Sequence, residues 1–395
     1  TWCRSSGAQP MMAVNLGTRG AQEAADLLEY CNHSEGTALS DLRRSNGAKE
    51  PHDIKVWCLG NELDGPWQVG HKTADEYGRL AAETARAMRM VDPRIELVAC
   101  GSSNSAMPTF ASWEATVLEH CYELVDYVSL HSYYQPYDGD VGSFLASGVD
   151  LDNAIDAIVA TADHVGARLR SRKRLRLSVD EWNVWYQQHF NGQDHLEYVE
   201  RRALIEDNYN VTDAVVVGSL LITLLRHADR VGIACQAQLV NVIAPILTKA
   251  GGPAWRQTIF HPFAQAAHLA RGEVLRVEPR VATYDSVRYG DVPLIDVTAT
   301  HNRDSGDLTI FAVNRSTSDA VLLDADVRAF QAHRVVATTL SGTSFDRTNT
   351  ATQPEAVTTR PLAIEDMSDG RLQVSLPPVS WNVIRLIPPT KEHSR

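Results

Sequence analysis

No C-x-x-C pair occurs among the six cysteines of this 395-residue sequence, which stand apart at Cys3, Cys31, Cys58, Cys100, Cys121 and Cys235. That excludes a zinc ribbon, a thioredoxin-like site and a disulfide scaffold, and it points to thiols kept reduced in a cytoplasmic setting. Long apolar runs are missing too. A bilayer-spanning helix needs roughly 18–20 apolar residues. The longest candidate, Ala214–Leu225, is interrupted by Gly218, Ser219 and Thr223 and reads as a buried helix. Positive charge is short: 37 Lys and Arg against 49 Asp and Glu leave a net charge of −12, which repels phosphate backbones and anionic lipid. Nucleic-acid and membrane partners are therefore not expected. Thr1–Pro10 has neither a basic start nor an apolar stretch of the secretory kind. No G-x-G-x-x-G or Walker-type loop follows any candidate strand, which argues against dinucleotide and P-loop folds.

With 44% apolar and 22% charged residues the chain has ample core, and its length suits two domains. From Pro10 to about Arg271, short apolar runs (Met11–Leu16, Ile54–Leu59, Ile95–Cys100, Tyr127–His131, Leu175–Val179, Ile233–Leu239) alternate with longer helical patterns. The clearest helix starts at Thr73, with Glu76 completing a capping box and Tyr77, Leu80, Ala81, Thr84 and Met88 on one face. Strand–helix alternation of this kind means a parallel sheet, doubly wound or closed as a (β/α)8 barrel. Polar residues cluster at the strand ends: Asn15, Asn61-Glu62, His131 and Asp180-Glu181. In a barrel those ends converge on one face, so the barrel is the expected fold. Six strands are countable where a barrel has eight, and Thr1 opens within a helix-like stretch. The expectation is a TIM barrel lacking its first two βα units over residues 1–272, followed by an all-β sandwich over residues 273–395. In the second part a helix is expected only around Asp324–Gln331. Its aromatics are few, with no Tyr after Asp291, and Trp381 lies in an alternating strand where burial is expected. This makes it a structural or subunit-contact domain rather than a surface for sugars.

Two carboxylates at strand ends carry the chemistry. If Met11–Leu16 is the third barrel strand, Glu62 follows strand four and Glu181 follows strand seven, placing both across one bond. Glycoside hydrolysis uses such a pair, one group protonating the leaving oxygen and the other attacking or activating water. Asp180, next to Glu181, should point to the opposite face of a regular strand and serve structure, and Asp64 should belong to its loop. His and Cys residues do not fall at metal-ligand spacings, so neither a metal nor a cofactor is expected.

The segment Val56-Trp57-Cys58-Leu59-Gly60-Asn61-Glu62-Leu63-Asp64-Gly65-Pro66-Trp67-Gln68 resembles the acid/base motif of family-51 glycoside hydrolases, the α-L-arabinofuranosidases. Leu177–Tyr186 resembles their nucleophile motif, and Met11–Gly20, His131–Tyr134 and Cys235–Asn241 are also similar. The resemblance runs along the whole chain. It implies Glu62 as general acid/base, Glu181 as nucleophile and Asn61 holding the sugar 2-hydroxyl. It also implies Tyr133 hydrogen-bonded to Glu181, His131 close to the pair, and Trp185 and Gln238 lining the furanose pocket. Trp185, His131 and Gln238 each also have a plainly structural reading.

The implied activity is retaining, exo-acting release of arabinose from arabinan, arabinoxylan or their oligosaccharides, by a homo-oligomer. The alternatives are another retaining barrel glycosidase (a β-xylosidase or endoglucanase) or a non-catalytic carbohydrate-binding remnant. Retention predicts carboxyl groups roughly 5–5.5 Å apart. The charge of Glu181 predicts a Glu62 that titrates above an ordinary glutamate.

Overall fold

In the computed structural model, which describes residues 2–189, 200, 203–330 and 332–389, the six apolar runs become strands β1 (Met11–Ala13), β2 (Val56–Leu59), β3 (Glu96–Ala99), β4 (Tyr127–Tyr134), β5 (Arg176–Val184) and β6 (Val231–Gln236). They form one sheet in sequence order, β1-β2-β3-β4-β5-β6, and the pairings from β1 through β4 are parallel. Helix α1 (Trp2–Ser5) precedes them, and α2 (Ala21–Asn32), α3 (Ala38–Ser45), α4 (Ala74–Val91), α5 (Ser112–Cys121) and α7 (Ser147–Arg168) lie between them in the chain. Thr73 caps α4 and accepts from the Glu76 amide, while Glu76 bonds back to the Thr73 amide, so the capping box is present as read.

The chain divides into two compact units. One comprises Thr1–Ser132, Asn153–Trp182 and Asp229–Cys235; the other comprises Tyr133–Asp152, Asn183–Ala228 and Gln236–Arg395. In the first unit both faces of the sheet are apolar, as a parallel sheet requires. Trp57, Leu59, Leu97 and Ala99 pack with Leu28, Ala81, Met88 and Val117 of the helices. Cys58, Val98 and Tyr127 form a smaller cluster with Met11, Val56 and Ile233. This second face carries the candidate site.

The second unit contains α6 (Val141–Leu145), α8 (Val211–Arg226), α9 (Phe260–Leu269) and strands β7 (Ile246–Thr248) and β8 (Ala254–Arg256), which pair as a hairpin. From Glu273 onward come β9 (Glu273–Leu275), β10 (Thr283–Ser286), β11 (Gly290–Pro293), β12 (Ile295–His301), β13 (Leu308–Asn314), β14 (Val321–Asp326), β15 (Arg334–Leu340), β16 (Arg360–Pro361), β17 (Asp366–Ser368), β18 (Arg371–Leu376) and β19 (Ser380–Ile387). An antiparallel sheet β16-β15-β19-β13-β12-β9 shares an apolar core with a smaller sheet β14-β18-β17. The helix expected around Asp324–Gln331 is corrected: its first residues are the end of β14, where side chains alternate in burial and pair with β18 from Val321↔Leu376 to Asp326↔Arg371. Gln331 lies outside the described residues. Period-two burial won over helical propensity there.

The run Ala214–Leu225 lies inside α8, whose residues 211–224 are all buried, and among the described residues no helix is long and apolar enough to cross a membrane. Trp381 is fully buried and donates its indole N–H to Gln265 Oε1 at 2.8 Å. A Cβ added at Gly218 of α8 would stand 2.4 Å from Trp381 Cε3. Gly→Ala inside a helix ordinarily stabilises by about 0.5–1 kcal/mol. Here overpacking against a locked indole reverses the sign, and Gly218→Ala is expected to cost about 1–3 kcal/mol. Thermal melting checks this; a Tm at or above that of the native protein would refute it.

Candidate active site

The loop after β2 is built to aim Glu62. Gly60 (φ 99°) and Glu62 itself (φ 48°) have left-handed backbone, easy for the glycine and strained for the glutamate. Such a conformation persists only where its surroundings over-determine it. Here Gly65 N–H bonds to Glu62 O at 3.0 Å and Lys72 N–H to Leu63 O at 2.8 Å. Asp64 accepts from the Ser103 amide at 3.1 Å and from its hydroxyl, so Asp64 serves the loop. Tyr77 OH donates to Leu59 O at 2.8 Å and accepts from Cys100 N–H at 2.7 Å, tying the ends of β2 and β3 together.

The turn also brings two residues to Glu62 that sequence reasoning did not single out. Trp67 donates its indole N–H to Glu62 Oε2 at 2.9 Å, and Gln68 Nε2 reaches the same oxygen at 3.5 Å. Gly65 permits the fold-back, since a Cβ there would stand 2.5 Å from Trp67 Cε2. Both residues lie within the motif at 56–68, which was the available signal.

His131 on β4, 4% exposed, is the centre of the arrangement. Its Nδ1 lies 3.0 Å from Glu62 Oε1 and 3.1 Å from Glu181 Oε2, and its Nε2 lies 3.1 Å from Asp180 Oδ1. One imidazole thus faces three carboxylates. Asp180 and Glu181 both lie inside β5, which runs on to Val184. Asp180 also accepts from Ser178 Oγ at 3.0 Å and Cys58 Sγ at 3.7 Å. A cavity of about 130 Å³ opens here, lined among others by Met12, Cys58, Asn61, His131, Asp180 and Glu181. The expectation that Asp180 turns away from the site is therefore corrected. Strand alternation does separate neighbouring side chains, but the face Asp180 takes is the one bearing Cys58 and His131.

The electrostatics overturn another expectation. Burial disfavours charge on His131, yet hydrogen bonds to Asp180, Glu181 and Glu62 outweigh it and raise the ring well above its ordinary value. Burial likewise pushes the Glu62 carboxyl up, but hydrogen bonding and charge from His131, with donors from Trp67 and Gln68, bring it below its ordinary value. The anticipated upward shift fails because the hydrogen bond and charge of the His131 ring against Glu62 outweigh burial. Burial and the Asp180 charge push the Cys58 thiol far up, so it is no nucleophile.

Glu62, His131 and Glu181 each offer an atom within 4.8 Å of the other two. The two carboxylates pair with the same ring nitrogen of His131, and we assign no metal to the three groups.

These shifts make stability depend on pH. A raised histidine stabilises fully below its unfolded value, 6.5, and loses that contribution as pH climbs through the raised folded value. A lowered glutamate stabilises above its unfolded value, 4.5, and loses the contribution as pH falls through the folded one. His131→Gln, which leaves three carboxylates without their cation, should cost about 3–5 kcal/mol. Urea unfolding of the two proteins across pH should show the largest gap between about 4.5 and 6.5. A pH-independent gap would contradict the charge assignment.

Asn61 lines the same cavity. Tyr133, Trp185 and Gln238 belong to the other compact unit. There the Tyr133 and Trp185 rings meet edge-on with centroids 5.1 Å apart. Gln238 lies on a loop held by Asn183, whose amide donates to Ala237 O and, at 2.6 Å, to Ile243 O.

Two family profiles match the chain: "Alpha-L-arabinofuranosidase 1 domain" over residues 1–145 and "Alpha-L-arabinofuranosidase C-terminal domain" over residues 180–380. An exo-α-(1→6)-L-arabinofuranosidase of Bifidobacterium longum is 47% identical over 98% of this chain and 76% of its own length. The chain belongs to the α-L-arabinofuranosidase family.

A solved family 51 α-L-arabinofuranosidase from Bifidobacterium longum superimposes with a TM-score of 0.93 at 44% identity, covering 97% of this chain and 77% of that one. The intracellular exo-α-(1→5)-L-arabinofuranosidase of Streptomyces lividans is 57% identical over 97% of this chain. The chain spans 58% of that relative's length. Membership in glycoside hydrolase family 51 agrees with a parallel β/α sheet followed by a C-terminal β domain.

Proposed function

We propose that the chain is a retaining, exo-acting α-L-arabinofuranosidase that releases terminal arabinofuranosyl residues by double displacement. The observation carrying this reading is the single ring nitrogen, His131 Nδ1, at 3.0 and 3.1 Å from the two carboxylates. It keeps one oxygen of each within 4.8 Å of the other, close to the roughly 5–5.5 Å carboxyl spacing of retaining enzymes and short of the roughly 6.5–9.5 Å of inverting ones. Glu181 attacks the anomeric carbon while Glu62 protonates the leaving oxygen; Glu62 then deprotonates the water that hydrolyses the ester. Asn61 holds the 2-hydroxyl, Tyr133 orients Glu181, and Trp185 and Gln238 line the sugar pocket.

We read the six-stranded sheet as strands three to eight of a (β/α)8 barrel. That count puts Glu62 after strand four and Glu181 on strand seven. Residues 1–272 then form the catalytic part and residues 273–395 a structural part used in self-association. The substrates are arabinan, arabinoxylan or their oligosaccharides, with (1→5) or (1→6) linkages as in the relatives' names. The Streptomyces relative is named intracellular, and the same location is proposed here.

Initial-rate assays on nitrophenyl arabinofuranoside, nitrophenyl xyloside and cellulose test the reading, with the product anomer followed by NMR. Turnover of the arabinofuranoside with retained configuration is expected. Preference for xyloside or cellulose would indicate another retaining glycosidase. Binding of arabino-oligosaccharides without turnover would indicate a carbohydrate-binding role, and inverted product would reject the mechanism.

A further inference from the structure

The turn that carries Trp67 and Gln68 onto Glu62 Oε2 is seated with little apolar burial: Trp67 is 56% exposed and Val69 80%. Its own bonds are short-range, from Gln68 N–H to Gly65 O at 3.0 Å and from His71 N–H to Gln68 O at 3.2 Å. Such bonds shape a turn but do not fix where it lies. Glu62 also has a positive φ, a backbone state that its surroundings must hold in place.

The loop after β1 reaches in from outside. Strands β1 and β2 are parallel neighbours, so the segments leaving their ends run side by side. A Cβ on Gly17 would stand 2.6 Å from Val69 O, and one on Gly70 (φ 82°) would overlap the Gly17 carbonyl. Backbone lies directly on backbone there, which only glycine allows. Lys72 ties the same two segments: its amide donates to Leu63 O at 2.8 Å, and its ammonium reaches Gly17 O at 3.4 Å. Asn15, a polar residue at the end of its strand, has no part in the double displacement. Its Oδ1 accepts from the Gly17 and Thr18 amides, both at 3.0 Å, and its Nδ2 donates to Thr18 Oγ1 at 2.9 Å. These bonds make an Asx-type turn, which sets how Gly17 presents its backbone.

We propose, building on the reading of Glu62 as acid/base, that Asn15 and Gly17 are positioning residues for it. Asn15 folds the loop, Gly17 seats Val69 and Gly70, and the seated turn holds Trp67 and Gln68 against Glu62 Oε2. With His131 at Oε1, the carboxyl is then gripped at both oxygens. Release of the Oε2 end lets the carboxyl turn away from the glycosidic oxygen, while the attack by Glu181 is untouched. The loss therefore falls on substrates whose leaving group needs a proton.

Gly17→Ala drives Val69 and Gly70 outward. Asn15→Ala frees the same loop without adding bulk, so the test survives a folding defect in the first variant. In both, kcat/KM on methyl arabinofuranoside should fall about 10–100-fold, the scale of loss when a group is misplaced by about 1 Å. On dinitrophenyl arabinofuranoside, which needs little protonation, kcat/KM should stay within about threefold of native. Asn15→Asp keeps the Oδ1 acceptor for both amides and should restore most of the loss. Residues serving the fold alone would lower Tm and reduce both substrates by one factor, which would overturn the proposal. Nitrogen-15 NMR of tryptophan-labelled protein gives a second reading without substrate, with the Trp67 indole assigned by its absence in Trp67→Phe. Its N–H proton should move upfield in Asn15→Ala as the bond to Glu62 lengthens; an unmoved resonance overturns the proposal. Because that signal needs no turnover, a protein inactive on every arabinofuranoside would strike the functional reading, and the indole would still decide this one.

Discussion

Glu181→Ala will lower kcat on an aryl arabinofuranoside by on the order of 10⁵-fold, because the covalent step then has no attacking atom while the binding groups remain. The residual site is informative. With Glu181 shortened to a methyl, the space beside His131 Nδ1 that held its carboxylate is open to a small anion. Azide entering there approaches the anomeric carbon from the side opposite the leaving group. One displacement replaces two, and the product is an arabinofuranosyl azide of inverted configuration. Rescue should be strongest with dinitrophenyl and weak with methyl arabinofuranoside, since a poor leaving group still needs the proton from Glu62. Inverted azide product identified by NMR is the expected result. An Ala variant retaining more than about a hundredth of native turnover without azide would show that Glu181 is not the nucleophile, because loss of a covalent catalyst costs far more than that.

The sheet was legible because its strands are apolar on both faces: Met11–Ala13, Val56–Leu59 and their successors are apolar without alternation, and the helices between them announce themselves with caps such as Thr73 and Glu76. Glu62 and Glu181 were legible because each ends or interrupts an apolar run with a charge that must be answered for. What sequence could not show was who answers. His131 was expected near the pair, but three carboxylates on one ring depend on the spacing of β4 and β5 in space. Asp180 was misread because alternation says that it and Glu181 diverge, and says nothing of which face holds the histidine. The direction of the Glu62 shift was misread for the same reason: with Glu181 alone as neighbour the carboxyl would rise, and the bonded His131 ring, with Trp67 and Gln68, reverses it. In the C-terminal part, β14 looked helical over Asp324–Asp326 because its outward positions are charged. Pairing with β18 decides otherwise.

Glu62→Ala separates the two halves of the reaction. Substrates whose leaving group departs unaided should form the arabinosyl-enzyme at near-native rate, whereas methyl arabinofuranoside should slow by about 10²–10⁴-fold, the ordinary contribution of a positioned general acid. Hydrolysis of the ester needs Glu62 as base in either case, so with dinitrophenyl arabinofuranoside the variant should show a burst of phenol equal to the enzyme concentration, followed by a slow steady state. Both kcat and KM fall together because the intermediate accumulates. Azide now enters on the face the alanine has vacated, attacks the ester at Glu181, and gives an azide of retained configuration, the opposite of the Glu181→Ala product. Trp67 and Gln68, which donate to Glu62 Oε2 in the native site, remain to direct the anion to that position. The pair of opposite azide configurations assigns the two carboxylates without reference to any relative. Retained product from both variants, or equal losses on good and poor leaving groups, would mean that Glu62 and Glu181 have been given the wrong roles.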